Sequence, residues 1–262
     1  MDTNLFREER LRLIMEMVYT EKKVFVKELA DKFGKSSSSI RLDLTELESR
    51  GLINRTHGGA ILAEMIDNSF VVDKNFLRLR EETAKAEKQR IGKAVIELIN
   101  DGDSIMIDGG STTYYVAKNL YKRRGLTIIT TSFNMLPILL EISDAKIYLT
   151  GGLIQRYFED LIGDISIDSI RRFKPNNVII GIDGMSIKNG FTSTESSMKQ
   201  IKKQMKSVGE KTIVVADSTK IGKVCLYNVS DINDVDAVVT DTGASHEFVQ
   251  SFNEYDTNLI LA

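Results

Sequence analysis

The chain has 262 residues, 42% apolar and 27% charged, the balance of a soluble globular protein with room for a small domain beside a larger one. A net charge of −2 excludes nucleic-acid binding by bulk charge; residues 1–60 carry +1 and the remainder −3, so any such contact must come from local placement. The single cysteine, Cys225, excludes an intramolecular disulfide and a cysteine-built zinc site, and a reducing cytoplasm fits.

The opening stretch MDTNLFREERLRLI shows no apolar run before a cleavage site, and no segment approaches the ~18 apolar residues of a membrane span. REERLRLIMEMVYTEKK then places Leu11, Ile14, Met15 and Val18 at helical spacing. VFVKELADKFG repeats the pattern with Val26, Leu29, Ala30 and Phe33, and Gly34 suits the left-handed turn that ends a helix. The four serines of GKSSSSIRLDL allow two readings, a floppy spacer or a helix start. Because Ile40, Leu44 and Leu47 follow at helical spacing, the serines are read as caps of a third helix, Ser37 to about Arg50, with Gly51 as its stop. LINRTHGGAIL reads as two extended pieces around a Gly58-Gly59 turn. Three helices and a trailing hairpin make a winged helix-turn-helix.

The face opposite the apolar stripe carries Ser38, Arg41, Leu42 and Thr45, residue types suited to phosphates and base edges. A solvated, serine-capped helix in an ordinary bundle would look similar. The stretch SSSSIRLDLTELESRGLINRTHGGA, residues 36–60, resembles the signature of the DeoR family of bacterial transcriptional regulators. Ile40-Arg41, Asp43-Leu44, Leu47, Gly51, Arg55 and His57-Gly58-Gly59-Ala60 match it. Leu42 stands where the family usually has a second arginine, and Lys35 where an apolar residue is common. The resemblance implies that the helix enters a major groove, with Lys35, Ser36, Ser37, Ser38, Ser39, Arg41, Leu42 and Thr45 as its DNA-contacting set and Arg55 and His57 in the wing. Asp43 is expected to pair with a nearby basic residue instead.

Residues 59–80 show no clear period and read as a linker between a DNA-binding domain (1–58) and a second domain (81–262). From Glu81 short apolar strands alternate with helices. A helix in ETAKAEKQRIGKAVIELIN is followed by strands over 104–108, 126–131, 145–151, 176–183, 212–217, 236–241 and 258–262. TTYYVAKNLY, FNMLPILLEI, IDSIRRF and SSMKQIKKQMKSV are the helical patterns between them. That alternation predicts a mostly parallel, Rossmann-like α/β sheet covered on both faces.

In IMIDGGSTTYYVAKNL a strand meets a Gly-Gly turn, three hydroxyl residues and a helix. Such a junction can cradle a phosphate with backbone N–H groups and hydroxyls, although a tight capped turn would have the same composition. It matches neither the G-x-x-x-x-G-K-[ST] nor the G-x-G-x-x-G loop, so a nucleoside triphosphate or a dinucleotide is not favoured. Asp108, Thr131, Ser132, Gly152, Asp183 and Lys220 also follow strands, at ends that a parallel sheet gathers on one edge. Lys220 can equally be a surface lysine, and Glu195 and Lys199 an i,i+4 helix pair.

This half is similar to the DeoR-family effector domain, whose fold resembles ribose-5-phosphate isomerase and CoA-transferase-like proteins. DGDSIMIDGGSTT, LTIITTS, YLTGG, GIDGMSIKNGFTSTE and VVADSTKIGK fall in the family's order. The resemblance implies a phosphorylated-sugar sensor in which Gly109, Gly110, Ser111, Thr112 and Thr113 hold the phosphate and Asp183, Glu195 and Lys220 face the sugar. The expectation is a homo-oligomeric repressor with no catalytic residue, metal or cofactor, working on double-stranded operator DNA. A sugar-phosphate isomerase is the alternative.

Overall fold

The computed structural model describes residues 7–21, 23–49, 52–62, 80–156 and 158–262. It divides into two compact units, Met1–Asn75 and Phe76–Ala262.

In the first unit, helix α1 (Arg7–Glu21) is followed by strand β1 (Lys23–Phe25), helix α2 (Val26–Phe33), helix α3 (Ser37–Ser49) and strands β2 (Ile53–Thr56) and β3 (Gly59–Leu62). The stripes read from the sequence form its core: Leu11, Ile14, Met15 and Val18 of α1 pack with Leu29 and Phe33 of α2 and with Ile40, Leu44 and Leu47 of α3. Burying each large aliphatic side chain contributes roughly 1.5–3 kcal/mol. Gly34 ends α2 in the left-handed conformation, φ 59°, and its N–H returns to the Ala30 carbonyl. Strand β1 was not anticipated, since three residues show no period; it pairs antiparallel with β3, and β3 with β2. Gly59 therefore opens a strand and does not sit in the turn. Residues 59–62, assigned to a linker from sequence, pair within the first unit, and the boundary drawn at 58 cuts the wing. The proposed stop at Gly51 and the rest of the linker through residue 79 lie outside the described residues.

The described part of the second unit begins at residue 80 with a helical turn over 80–82, followed by helix α4 (Lys85–Ile96), β4 (Ser104–Ile107), α5 (Ser111–Ala117), β5 (Thr127–Thr130), α6 (Leu136–Leu139) and β6 (Lys146–Leu149). A hairpin of β7 (Leu153–Gln155) and β8 (Asp160–Ile162) leads to α7 (Asp164–Ile170) and β9 (Asn177–Gly181). Strands β10 (Gly184–Ser186) and β11 (Gly190–Ser193), helix α8 (Ser196–Val208), β12 (Lys211–Val215), β13 (Tyr227–Ser230), β14 (Ala237–Thr240), α9 (His246–Phe252) and β15 (Asn258–Leu261) complete it.

All seven strands anticipated from sequence join one sheet, in the order β15-β14-β12-β9-β4-β5-β6, with every neighbouring pair parallel. Alternate side chains feed two cores, Ile105 and Ile107 into one and Met106 into the other, as the period of two requires. From β4 the chain runs outward through β5 to β6, then returns to the other flank of β4 as β9. That reversal opens a crevice at the carboxyl ends of β4 and β9, where open α/β sheets take ligands. Three antiparallel strands (β10, β11, β13) and the β7–β8 hairpin were not anticipated; each is three or four residues long and flanked by glycine or loop. FNMLPILLEI, expected as a full helix, forms only the single turn α6.

Candidate functional site

Helix α3 starts where its serines can satisfy it. The Ser36 Oγ accepts from the Ser39 N–H at 3.2 Å and lies 2.8 Å and 3.0 Å from the Ser38 and Ser39 hydroxyls. Ser36, Ser37, Ser38, Arg41, Leu42 and Thr45 are exposed together, Lys35 and Ser39 are half-buried, and Leu42 is 65% exposed. Arg55 and His57 stand exposed on the wing. Arg55 ties the wing to the helix: its Nη1 donates to Thr45 Oγ1 at 2.9 Å, and its N–H donates to Glu48 Oε1 at 2.9 Å. Asp43 turns inward. Its carboxylate accepts from Arg10 Nε at 2.6 Å and Nη2 at 3.1 Å, and from Arg7 Nε at 3.3 Å. This fork fixes α3 on α1, and removing one partner of such a buried pair costs about 3–5 kcal/mol.

In the second unit, the crevice at the ends of β4 and β9 is a solvent-open cleft of about 440 Å³. Gly109, Gly110, Ser111 and Thr112 form one wall, Gly181, Ile182 and Asp183 another, and Arg80, Phe158, Met198, Lys202 and Lys220 complete the lining. Three cationic side chains thus surround a glycine-hydroxyl loop at the start of α5. Gly109 is required by close approach, because a Cβ there would lie 2.3 Å from the Asp160 carboxylate.

Asp108 is buried beneath the loop, accepts from the Gly181 N–H at 3.0 Å and is ion-paired with Lys202. Burial pushes its carboxyl up, against the opposing pull of Lys202. Asp183 accepts from Arg80 at 2.8 Å, from the Ser193 hydroxyl and from the N–H and hydroxyl of Thr194. Burial works against its ionisation, but Arg80, Lys202 and the Thr194 N–H outweigh it and hold the carboxyl well below the usual range. Asp160 is the opposite case. Burial, reinforced by the nearby Asp108 charge and opposed by the Thr131 hydroxyl and Lys202, pushes it up to about 7, and its Oδ1 accepts from the Leu161 N–H at 3.1 Å.

Of the twelve ligand residues anticipated from sequence, Gly109, Gly110, Ser111, Thr112, Asp183 and Lys220 line the cleft. Asp108 and Thr113 lie directly behind, with the Thr113 hydroxyl donating to the Gly110 carbonyl at 3.0 Å. Thr131 and Ser132 are buried along the β8 side, where Ser132 bridges to Asp160. Gly152 packs against the Ile162 carbonyl, and Glu195 stands at the N-cap position of α8, makes no side-chain capping hydrogen bond there and does not line the cleft. Arg80, Phe158, Met198 and Lys202 were not singled out. Lys202 carried a readable signal, since it falls four residues after Met198 on the buried stripe of α8. Among the described residues no cluster of His, Cys, Asp or Glu is arranged to hold a metal, and no helix is long and apolar enough to cross a membrane.

A winged helix-turn-helix joined to an α/β unit with a cation-lined crevice defines a ligand-responsive DNA-binding regulator. The DeoR-like helix-turn-helix domain model matches residues 10–65, and the DeoR C terminal sensor domain model matches residues 83–242. The chain belongs to the DeoR family. It is 31% identical to the glycerol-3-phosphate regulon repressor of Escherichia coli (strain K12) over 248 residues, 95% of this chain and 96% of that one. It is 27% identical to the HTH-type transcriptional repressor GlcR of Bacillus subtilis (strain 168), covering 98% of this chain and 97% of the relative. Among solved structures, ribose 5-phosphate isomerase from Plasmodium falciparum aligns over 51% of each chain, at 18% identity and a TM-score of 0.37. The family and these curated relatives are transcriptional regulators, so the isomerase alternative falls away.

Proposed function

We propose that the protein represses a carbohydrate-metabolism operon in the cytoplasm, and that a phosphorylated sugar bound in the β4–β9 cleft sets its operator affinity. The observation that carries this reading is the convergence of the Gly109–Thr112 loop, Lys220 and the ionised Asp183 in one crevice. The loop N–H groups and the Ser111 and Thr112 hydroxyls suit phosphate oxygens, Lys220 supplies a point charge, and Asp183 accepts from sugar hydroxyls. Thr113 supports the loop from behind through its bond to the Gly110 carbonyl, Thr131, Ser132 and Gly152 flank the site on the β8 side, and Glu195 stands at the head of α8. The kinship with a glycerol-3-phosphate regulon repressor favours a phosphorylated effector.

In this reading α3 enters the major groove with Lys35, Ser36–Ser39, Arg41, Leu42 and Thr45, while Arg55 and His57 meet the backbone beside it. The protein works as a homo-oligomer, because paired wings on a repeated site gain affinity by multivalency. A mobility-shift titration on the protein's own promoter, repeated over a salt series, is expected to give sequence-preferring binding that weakens with salt. A thermal-shift screen of phosphorylated sugars is expected to raise the melting temperature by mass action. Thr112→Ala and Lys220→Ala should each diminish that shift. An unchanged shift in both variants removes the cleft as the effector site.

A further inference from the structure

Arg80 falls between the two segments matched by the family models, 10–65 and 83–242, yet its side chain lines the cleft. Its guanidinium donates to Asp183 Oδ1 at 2.8 Å. Asp183 does not depend on that contact for its partners, because its Oδ2 accepts from Ser193 and twice from Thr194, at 3.1–3.2 Å. A guanidinium presents five N–H donors in a planar fork. Arg80 can therefore turn toward an anion seated on the Gly109–Thr112 loop while Asp183 stays hydrogen-bonded.

The backbone carrying Arg80 is tied to the same cleft by a second route. Lys88, on α4 and 2% exposed, donates through Nζ to the carbonyls of Arg80 at 2.5 Å and Thr83 at 2.8 Å. Residues 80–84 form a strap before α4, and at its end Ala84 takes a left-handed φ of 49°, a conformation that costs a non-glycine residue energy and persists only where its surroundings impose it. The same Lys88 ammonium lies 3.7 Å from Asp217, which caps the turn bearing Lys220. The strap at residues 80–84 thus meets the cleft through the Arg80 side chain and, by way of Lys88 and Asp217, through the Lys220 turn. It is also the first described stretch of the second unit, next in sequence to the segment that follows the wing.

We infer that Arg80 is an effector-contacting residue that exchanges Asp183 for the phosphate of the ligand, and that this exchange passes the signal into the segment leading to the DNA-binding unit. The inference rests on the cleft being a phosphate site. A ligand shifts an equilibrium only by binding its two states unequally, and the Arg80 exchange supplies that inequality.

The test uses the full chain, its own promoter fragment, and three probes: inorganic phosphate, glycerol 3-phosphate and ribose 5-phosphate. Operator affinity is read by fluorescence anisotropy, with and without probe, and probe affinity by calorimetry. In the wild type at least one probe is expected to change operator affinity fivefold or more. Arg80→Gln should weaken that probe at least tenfold, and Arg80→Lys should recover part of the loss. Without probe, Arg80→Gln and Asp183→Asn should each move operator affinity at least threefold toward the probe-saturated wild-type value, and the double variant should move it no further. Melting curves of each variant check that the fold is kept. If Arg80→Gln binds and responds within twofold of wild type, the inference is overturned and the phosphate reading of the cleft survives. If no probe acts on the wild type but both single variants still shift ligand-free operator affinity, the Arg80–Asp183 switch stands and the phosphate reading falls. No response on either measure overturns both.

Discussion

Leu42 and Asp43 are adjacent in sequence and opposite in fate. A step of one residue turns a helix by about 100°, so Asp43 enters the core against Arg10 while Leu42 points to water. An isolated exposed leucine is unremarkable on most surfaces. Here it sits among Ser38, Arg41 and Thr45, where the DeoR signature carries an arginine. Leu42→Arg places a cation on that face. If the face meets DNA, one added phosphate contact steepens the slope of log affinity against log salt by about 1. A contact with a thymine methyl would be lost at the same time, altering sequence preference. Anisotropy titrations between low and high salt, on the promoter site and on variants of it, read both effects. A variant with the wild-type slope and preference puts Leu42 off the DNA.

Between elements, the close approach of the β4–α5 loop to β8 makes a sharper demand. A Cβ on Gly109 would press on Asp160 Oδ2 at 2.3 Å, so Gly109→Ala must displace the buried Asp160 carboxylate or the loop itself. Glycerol 3-phosphate, or whichever probe binds the wild type, should then bind at least tenfold more weakly by calorimetry, and Gly109→Ala/Asp160→Ala should recover much of the loss. A single variant that binds as the wild type shows the contact to be slack. This pairing also marks the limit of reading elements from sequence. The three helices of the wing unit were legible from their apolar period, and the seven parallel strands, each four or five residues long, as short apolar runs alternating with helical patterns. The short antiparallel strands show neither signal, and their pairing is set by distant partners, as when Gly190 of β11 meets Ser230 of β13. At the cleft, the Gly109–Thr113 loop announced itself by composition at a strand-helix junction. Arg80 and Asp160 did not, and Lys202 showed only as a lysine on the apolar stripe of α8, since only the fold brings residues 80, 160 and 202 to the end of β4.

At the scale of the whole second unit, the crevice concentrates buried charge, and that leaves a trace in stability. Asp160 titrates at about 7 in the fold and near 3.8 when the chain is open, because the folded site disfavours its anion. Between those values the native state holds a proton that the unfolded state has released. Stability therefore falls as pH rises through that interval, and the contribution of the neutral carboxyl, complete below about pH 4, is gone above pH 7. Asp160→Asn keeps the shape and removes the titration. The variant should match the wild type near pH 4, gain on it steadily to pH 7, and hold a constant advantage beyond. Titrating groups remote from Asp160 are common to both proteins and cancel in the difference, whereas Asp108, which is coupled to Asp160, contributes to it. Thermal unfolding followed at fixed ionic strength from pH 4 to pH 9 gives this difference directly, with the transition of the second unit scored separately from that of the wing unit. Parallel profiles would mean that Asp160 ionises in the native state as readily as in the open chain. A gain confined to the interval instead places a neutral carboxyl beneath the Gly109 loop at low pH and a negative charge there at high pH, the less favourable floor for an anionic ligand.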